Sequence, residues 1–307
     1  MAQNEDYVPQ GGDGMKVGLI DVDGHNFPNL ALMKLSALHK SKGDQVEMFF
    51  PMSSYDRVYM SKVFTFTPDF ETVINADEII RGGTGYDLKN KLPDEAENIY
   101  PDYSLYNIKD TAYGYLTRGC PRGCNFCIVG EKEGLKSYQV ADLKDFWNGQ
   151  KEIKLLDPNL LACNDSISLL QQLVDSKAWI DFTQGLDIRL MTDEKVNMIN
   201  KLKIKMIHFA WDNYEFKTYE KLKEFRAKLN FNNRRLRVYV LTNFNTQIEQ
   251  DLERIYKLRE LDYDPYVMIY DKQKAPKLIK KMQRWVNNKF IWHSGTANTF
   301  EEYLKIG

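Results

Sequence analysis

At residues 117–127 the chain reads TRGCPRGCNFC, a short segment that is the strongest indication of both architecture and chemistry in this sequence. Three of the four cysteines of the chain fall here within eight residues: Cys120, Cys124 and Cys127. Such close spacing suits a metal site in a reducing compartment and does not suit a disulfide framework. Gly119 and Gly123 allow the backbone to turn tightly around a metal.

Two metal groups suit soft thiolate ligands, an iron–sulfur cluster and zinc. Three thiolates on a short loop can hold three irons of a cubane cluster and leave the fourth iron open. A structural zinc ion prefers a closed tetrahedron and needs a fourth ligand. None of the four histidines is nearby in sequence, and Cys163 is the one cysteine that could complete a tetrahedron. Otherwise Cys163 is expected to be a small buried residue.

From residue 112 onward the chain alternates between short apolar runs and amphipathic stretches. The apolar runs predict strands at 112–117, 153–156, 179–183, 206–210, 236–241 and 265–269. The amphipathic stretches predict helices at 140–148, 166–177, 194–202, 219–229, 246–258 and 276–286. Six units of roughly 29 residues have the period of a parallel βα barrel, two units short of eight. The sequence therefore predicts a partial (β/α)6 TIM-type barrel, with the cysteines at the carboxyl end of its first strand.

The front of the chain carries a second, smaller series. Strands are predicted at 16–22, 45–50, 57–65 and 78–81, with a helix at 29–42. This pattern is typical of a Rossmann-like open parallel α/β domain. Residues 86–108 contain two prolines and many polar residues, which predicts a linker. We therefore expect a flexible lead-in at 1–14, the front domain at 15–105, and the barrel with a C-terminal extension at 106–307.

The cysteine motif and the six-unit series together resemble the radical S-adenosylmethionine (SAM) superfamily. The resemblance rests on Cys-x3-Cys-x2-Cys, with an aromatic residue before the last cysteine, after the first strand of a six-unit barrel. It implies that Cys120, Cys124 and Cys127 hold a [4Fe–4S] cluster whose open iron binds the amino and carboxylate groups of SAM. An electron passed through the cluster then breaks the S–C5′ bond, and the resulting 5′-deoxyadenosyl radical abstracts hydrogen from a substrate. An electron donor such as flavodoxin or ferredoxin is also implied.

The resemblance assigns further SAM contacts by position along the barrel. Phe126 occupies the aromatic slot that lies near the adenine in the family, although a plain packing residue would look the same. Asp157 ends the second strand, where the family's Gly-Gly-Glu motif contacts the SAM amino group. This sequence departs from that motif, and a helix N-cap is the alternative role for Asp157.

Polar residues after the third and fourth strands complete the expected SAM site. Gln184 and Arg189 belong to a segment that resembles the family's Gly-Leu-x-x-Arg type and could contact the carboxylate or ribose. An ion pair between Asp187 and Arg189 is the structural alternative. Asp212 follows the fourth strand, where relatives carry a polar pair beside the SAM.

The front domain is similar to the cobalamin-binding domain that precedes the barrel in many radical SAM proteins. Residues 23–25 read Asp-Gly-His, like the start of the cobalamin motif Asp-x-His-x-x-Gly, but Pro28 stands where the glycine belongs. Tyr55, Tyr59 and the aromatic residues at 64–66 suggest a filled face in place of an open slot. We therefore expect a degenerate domain, with cobalamin unlikely to bind.

The charge balance and the hydropathy of the sequence argue against nucleic acid and membrane partners. Lys and Arg number 42 against 43 Asp and Glu, so nothing global draws the chain to nucleic acid. The sequence has no apolar stretch long enough for a membrane span and no signal peptide, which predicts a cytoplasmic protein.

The leading functional prediction is therefore radical chemistry on an unidentified substrate. A cobalamin-dependent radical SAM methyltransferase is the alternative among enzymes. From another class, the alternative is a noncatalytic iron–sulfur or zinc-binding module.

Overall fold

The computed structural model describes residues 14–24 and 27–306. The chain divides into two compact units, with the boundary between Lys109 and Asp110. Both units are α/β, and each is built on a parallel sheet. The expectation of an α/β fold with parallel sheets is therefore confirmed.

The first unit has a four-stranded sheet in the order β2-β1-β3-β4. Its strands, all parallel, are β1 (Lys16–Asp21), β2 (Gln45–Met48), β3 (Tyr55–Ser61) and β4 (Ala76–Gly82). Helix α1 (Leu30–Ser41) connects β1 to β2 and begins where the Asn29 side chain accepts a hydrogen bond from the backbone N–H of Leu32. Its buried face packs on Val17 and Leu19 of β1.

The segment 86–108 is not the plain linker that its prolines suggest. It contains helix α2 (Asp94–Glu97) and a 3-10 turn at Tyr103–Tyr106. Ala96 is fully buried in the core of the first unit, where Leu92, Ile99 and Leu105 also pack. The apolar residues of this segment are few and widely spaced, so its overall composition is polar. They nevertheless lie on one side and are buried or partly buried, which composition alone does not predict.

The second unit has six parallel strands in the order β12-β11-β10-β9-β8-β5. They are β5 (Thr111–Gly114), β8 (Glu152–Leu155), β9 (Trp179–Phe182), β10 (Lys203–Ala210), β11 (Leu236–Thr242) and β12 (Asp264–Ile269). The segment between β5 and α3, residues 115–128, is called the cysteine loop because it carries Cys120, Cys124 and Cys127. An antiparallel pair of short strands, β6 (Thr117–Arg118) and β7 (Tyr138–Gln139), lies on either side of these cysteines. Because the six strands are parallel, all the loops that leave their carboxyl ends lie along one edge of the sheet.

The helices of the second unit follow the strands. They are α3 (Val129–Glu133), α4 (Ser166–Ser176), α5 (Asp193–Ile199), α6 (Phe216–Arg226), α7 (Ile248–Glu260), α8 (Lys277–Asn287), α9 (Lys289–His293) and α10 (Phe300–Ile306). The last three pack around the fully buried Trp285, whose indole N–H donates to the carbonyl of Ala297. Within the described residues, the structure has no helix with the length and apolarity needed to cross a membrane.

Two predicted elements of the second unit differ from the structure. The helix expected at 140–148 is only a 3-10 turn, Leu143–Asp145. Phe146 then lies over Gly114, where a Cβ atom would come within 2.3 Å of the ring, so packing against the sheet replaces helix propagation. The strand expected at 112–117 is divided into β5 and β6, because the Asp157 side chain takes the backbone N–H groups of Leu116 and Thr117.

Candidate metal centre

The cysteine loop leaves the end of β5 and carries three free thiols. Cys120 and Cys124 are partly buried and Cys127 is exposed. The backbone N–H of Cys120 donates to the carbonyl of Gly134, and that of Cys127 donates to the carbonyl of Cys124. Gly119 has a φ of +78°, and a Cβ atom there would lie 2.1 Å from the carbonyl oxygen of Lys136. The loop can therefore close only with glycine at this position.

The pKa of the Cys124 thiol lies above its usual value. Burial raises the pKa of Cys124, and the nearby Asp212, Cys127 and Cys120 raise it further, whereas Arg189 lowers it. A positively charged group bound between them would reverse this effect, because thiolates are the metal-binding form. In the described part of the chain, no three His, Cys, Asp or Glu side chains form a site for a single metal ion. Three unpaired soft donors on one loop nevertheless match the ligand set of a cubane cluster.

Asp157 holds the start of the cysteine loop against the end of β8. Its carboxylate accepts hydrogen bonds from the backbone N–H groups of Leu116 and Thr117 and from the Thr117 hydroxyl, at 2.7 Å for the hydroxyl. Complete burial raises the pKa of Asp157 to about 6, although these donors act in the opposite direction. The carboxylate is thus engaged with the backbone of the loop and does not cap a helix, while its predicted SAM contact stays a prediction.

Asp187 lies between two arginines. Arg122, from within the cysteine loop, donates its Nε–H to the carboxylate at 2.5 Å, and Arg189 donates its Nε–H at 2.8 Å. Burial alone would raise the pKa of Asp187, but the hydrogen bonds and charges of Arg189 and Arg122 outweigh it and lower that pKa. The ion pair considered as the alternative for Asp187 and Arg189 is therefore present. The second pair, between Arg122 and Asp187, ties the cysteine loop to the segment after β9, where Gln184 is exposed.

Asp212 follows β10 and faces the same group of residues. Burial raises the pKa of Asp212 to about 6, with Asp187 adding to the rise and Arg254 and Arg189 opposing it. The backbone around Asp212 is held by the fully buried Arg254 of α7, whose guanidinium donates to the carbonyls of Trp211 and Asp212. Arg254 also donates to the carbonyl of Leu241 at 2.7 Å, so one side chain joins the ends of β10 and β11.

An aromatic surface borders the cysteine loop. Phe126 meets Phe244, which follows β11, with ring centroids 5.5 Å apart. Phe244 meets Tyr270, which follows β12, at 4.9 Å. Phe126 is partly buried, and the other two rings are exposed at 37% and 42%. The arrangement is compatible with both roles considered for Phe126, a contact with adenine and a plain packing residue. The ring packs on a neighbour and also belongs to an open aromatic face.

Several predicted site residues converge, and sequence reasoning missed others. Cys124 and the side chains of Arg189, Asp212 and Asp187 interact with one another. Asn159, Arg122 and Arg254 were not predicted as site residues. Arg122 could have been suspected from its place between two cysteines, whereas Arg254 looks like an ordinary solvated charge on an amphipathic helix.

Comparison with known proteins supports the fold. The structure is similar to that of the radical S-adenosylmethionine methyltransferase TsrM from Kitasatospora setae, determined with cobalamin and a [4Fe–4S] cluster bound. The TM-score is 0.61 at 12% identity, over 84% of this chain and 75% of that one. A CDK5RAP1-like protein of Oryza sativa subsp. japonica is 34% identical over 92 aligned residues, and the match covers 27% of this chain and 15% of that protein. No family model matches the chain. The predicted resemblance is thereby confirmed in the fold.

Proposed function

We propose that this chain, which has the fold of a radical SAM methyltransferase, is itself a radical SAM enzyme with a partial (β/α)6 barrel. The observation that carries the proposal is the set of three free thiols on the loop that follows the first strand of the six-stranded parallel sheet. Cys120, Cys124 and Cys127 would hold a [4Fe–4S] cluster. When bound, the cluster would pass one electron to SAM, which then separates into methionine and a 5′-deoxyadenosyl radical that takes hydrogen from the substrate.

The side chains around the loop have distinct tasks in this proposal. Asp157 fixes the backbone at the start of the loop, and Asp187 braces its middle through Arg122. Arg189 and Asp212 offer opposite charges to the charged ends of SAM, and Gln184 offers an exposed amide. The rings of Phe126, Phe244 and Tyr270 provide an apolar face that stacks on a planar base and excludes water.

Anaerobic reconstitution tests the metal centre. The full chain should bind about four irons and show the broad brown absorption of a cysteine-bound cubane cluster. Replacement of Cys120, Cys124 or Cys127 with Ala should abolish the iron, because each removes one of three ligands. The matched control is Cys163→Ala, which should leave the iron content unchanged because Cys163 is buried away from solvent after a 3-10 turn. Stoichiometric zinc that depends on Cys163 would refute the cluster.

Cleavage of SAM distinguishes an enzyme from a noncatalytic iron–sulfur or zinc module. Supplied with a low-potential one-electron donor, such as flavodoxin or ferredoxin, the reconstituted chain should form 5′-deoxyadenosine and methionine. Formation of S-adenosylhomocysteine with no 5′-deoxyadenosine would instead indicate ordinary methyl transfer. An intact cluster with no product from SAM would indicate the noncatalytic module.

A cobalamin-dependent methyltransferase is the second candidate, because the TsrM structure contains cobalamin. That comparison gives no support to the expectation that cobalamin is unlikely here. Tyr55 and Tyr59 fill the core as expected, but Phe64 and Phe66 are exposed at 41% and 69%, beyond the carboxyl end of β3. An exposed apolar surface at this edge of a parallel sheet suits a large planar ligand. His25 lies outside the described residues.

Corrin retention decides between the two candidates. The full chain is equilibrated with hydroxocobalamin and desalted, and the corrin absorbance is measured. Retention near one equivalent, reduced by Phe66→Asp, would favour the methyltransferase because a charge disrupts an apolar contact. A matched control is Phe290→Asp, which changes a ring exposed at 90% in the second unit. The absence of retention would favour the cobalamin-independent enzyme.

A further inference from the structure

Asn159 contacts the first cysteine of the loop. Its side-chain Nδ2 lies 3.4 Å from the Sγ atom of Cys120, within hydrogen-bond distance for sulfur. The residue is 2% exposed, and it follows β8 by four positions. The Ser137 hydroxyl donates to the backbone carbonyl of Asn159 at 3.0 Å, which holds the residue in place from the side of β7.

The orientation of the Asn159 amide follows from the chemistry of its neighbour. A metal-bound thiolate only accepts hydrogen bonds, so the amide nitrogen, and not the oxygen, must face Cys120. The Oδ1 atom is buried and has no hydrogen-bond partner among the described residues. A buried amide kept only for structure normally has both ends satisfied. This amide is satisfied at the sulfur end alone, which indicates that its contact with the thiolate is the reason for its position.

We infer that Asn159 tunes the reduction potential of the cluster by donating a hydrogen bond to the Cys120 thiolate, an inference that rests on the proposed function. Reduction adds one negative charge to the cluster and its sulfur ligands. A donor pointed at one of those sulfurs stabilises the reduced form more than the oxidised form and so raises the potential. Burial of Asn159 strengthens the effect, because little water competes for its amide and the local dielectric is low.

The redox step involves one electron and no atom transfer. The added reductant is oxidised by one electron, the oxidised cluster is reduced by it, and no proton or bond changes place. Asn159→Leu has a similar volume and lacks the donor. We expect its one-electron equilibrium to shift about tenfold toward the oxidised cluster, which corresponds to a potential lower by about 59 mV.

The measurement is a redox titration of the reconstituted full chain, followed by the electron paramagnetic resonance signal of the reduced cluster. Asn159→Asp is the second variant, measured at a pH high enough to ionise the buried carboxyl: it keeps the shape, lacks the N–H donor and adds a negative charge, so its potential should fall at least as far. Asn200→Leu is the matched control, since Asn200 donates one side-chain hydrogen bond to the carbonyl of Lys228, far along the chain from the cysteine loop. Its potential should equal that of the wild type.

The outcomes separate this inference from the function on which it rests. Full iron content with an unchanged or raised potential in Asn159→Leu and Asn159→Asp would overturn the role of Asn159 and leave the cluster standing. Failure of the wild-type chain to bind iron would overturn the proposed function and this inference with it. If Asn159→Leu loses iron, Asn159→Asp alone carries the test against the wild type and Asn200→Leu.

Discussion

Asp187 shows how much one residue can organise. Its carboxylate receives a hydrogen bond from Arg122 in the cysteine loop and another from Arg189 beyond β9. Both arginines are about 30% exposed, whereas the Asp187 side chain is only 7% exposed. The two ion pairs of Asp187 are therefore intermediate between exposed surface pairs and fully buried ones. Their contribution to stability depends on the ionised form of the carboxylate.

Asp187→Asn should release the cysteine loop. The amide cannot hold two guanidinium groups as a carboxylate does, so we expect the free energy of unfolding to fall by about 1–3 kcal/mol. Urea denaturation of the metal-free chain measures the change. Asp193→Asn is the control, because Asp193 pairs with Lys228 at the surface with 75% exposure and should change stability by less than about 1 kcal/mol. Equal effects of the two substitutions would contradict the role assigned to Asp187.

His208 should make the protein sensitive to mild acid. Burial lowers the pKa of His208 to about 4 and the charge of Arg237 adds to the fall, whereas the hydrogen bond to the Phe182 carbonyl and the charge of Asp264 oppose it. The unfolded chain binds the proton near pH 6.5. The stability due to neutral His208 is therefore complete above pH 6.5 and is lost as the pH falls toward 4, in total on the order of 3 kcal/mol.

The comparison of wild type with His208→Asn isolates this contribution. The amide nitrogen of asparagine takes the place of Nδ1 and can still donate to the carbonyl of Phe182, which is the partner of His208 at 3.0 Å, but it does not titrate. Carboxyl groups with raised pKa values, such as Asp157, increase the free energy of unfolding as the pH falls and so oppose the effect of the histidine. They are present in both proteins and do not change the comparison. The free energy of unfolding of the wild type should fall more steeply between pH 6.5 and 4.5 than that of the variant. Parallel pH profiles would show that His208 is not the titrating group.

Single residues differ in how much their sequence position reveals. The spacing of Cys120, Cys124 and Cys127 is local, so the sequence was sufficient to predict a metal site there. The role of Asp157 depends on Leu116 and Thr117, about 40 positions away along the chain. No local pattern records such a pairing, which exists only once β5 and β8 lie side by side.

Helix α7 joins two strand ends through a buried ion pair. Arg254 and Asp251 are both fully buried, and the arginine donates to Asp251 at 2.6 Å. Burial lowers the pKa of Arg254 and raises that of Asp251. The same guanidinium donates to a carbonyl after β10 and to one within β11. The helix therefore fixes the carboxyl ends of both strands, and with them the segment after β10 that carries Asp212.

Arg254→Met should destabilise the second unit severely. It leaves a buried carboxylate and several carbonyls without their donor, which costs about 3–5 kcal/mol. The additional change Asp251→Leu should recover part of that loss by removing the uncompensated charge. Lys257→Met on the same helix is the control, since its pair with Glu253 is partly exposed and worth less than about 1 kcal/mol. Denaturant titration would count against the role of Arg254 if the two single variants were equally stable.

Elements with a strong period were predictable, and elements fixed by tertiary contacts were not. Five of the six predicted strands of the second series match strands of the sheet to within a few residues, because apolar runs of this length fit a buried parallel sheet. The failed helix at 140–148 has the apolar spacing of a helix, yet Leu143 and Phe146 reach the core from a single turn. Apolar spacing alone does not distinguish a helix from a turn whose side chains happen to fall on one side.

The molecule as a whole consists of two units with separate sheets. The second, from Asp110 to Gly307, contains all four cysteines, the six-stranded sheet and the cluster of apolar side chains around Trp285. About two hundred residues suffice for an independent core.

Residues 110–307 produced alone should therefore fold and bind iron. We expect the same iron content per chain as in the full protein, since each of the residues assigned here to the metal centre lies beyond position 109. Iron analysis after anaerobic reconstitution measures this, and circular dichroism verifies the fold. A folded fragment that binds no iron would show that the first unit is required for the cluster.

The hydrogen bonds of Asp157 also have a consequence for when the proposed metal centre can assemble. The cysteine loop emerges during synthesis about 40 residues before the carboxylate that fixes its first turn, and that carboxylate is in place only when β8 has paired with β5. Closing such a connection belongs to the slower, non-local part of folding. A nascent chain thus displays its thiols while they are still unorganised and open to oxidation. If the chain binds a cluster as proposed, delivery of iron and sulfide should be most effective after the sheet has formed, so we expect cluster insertion to act on a folded apoprotein.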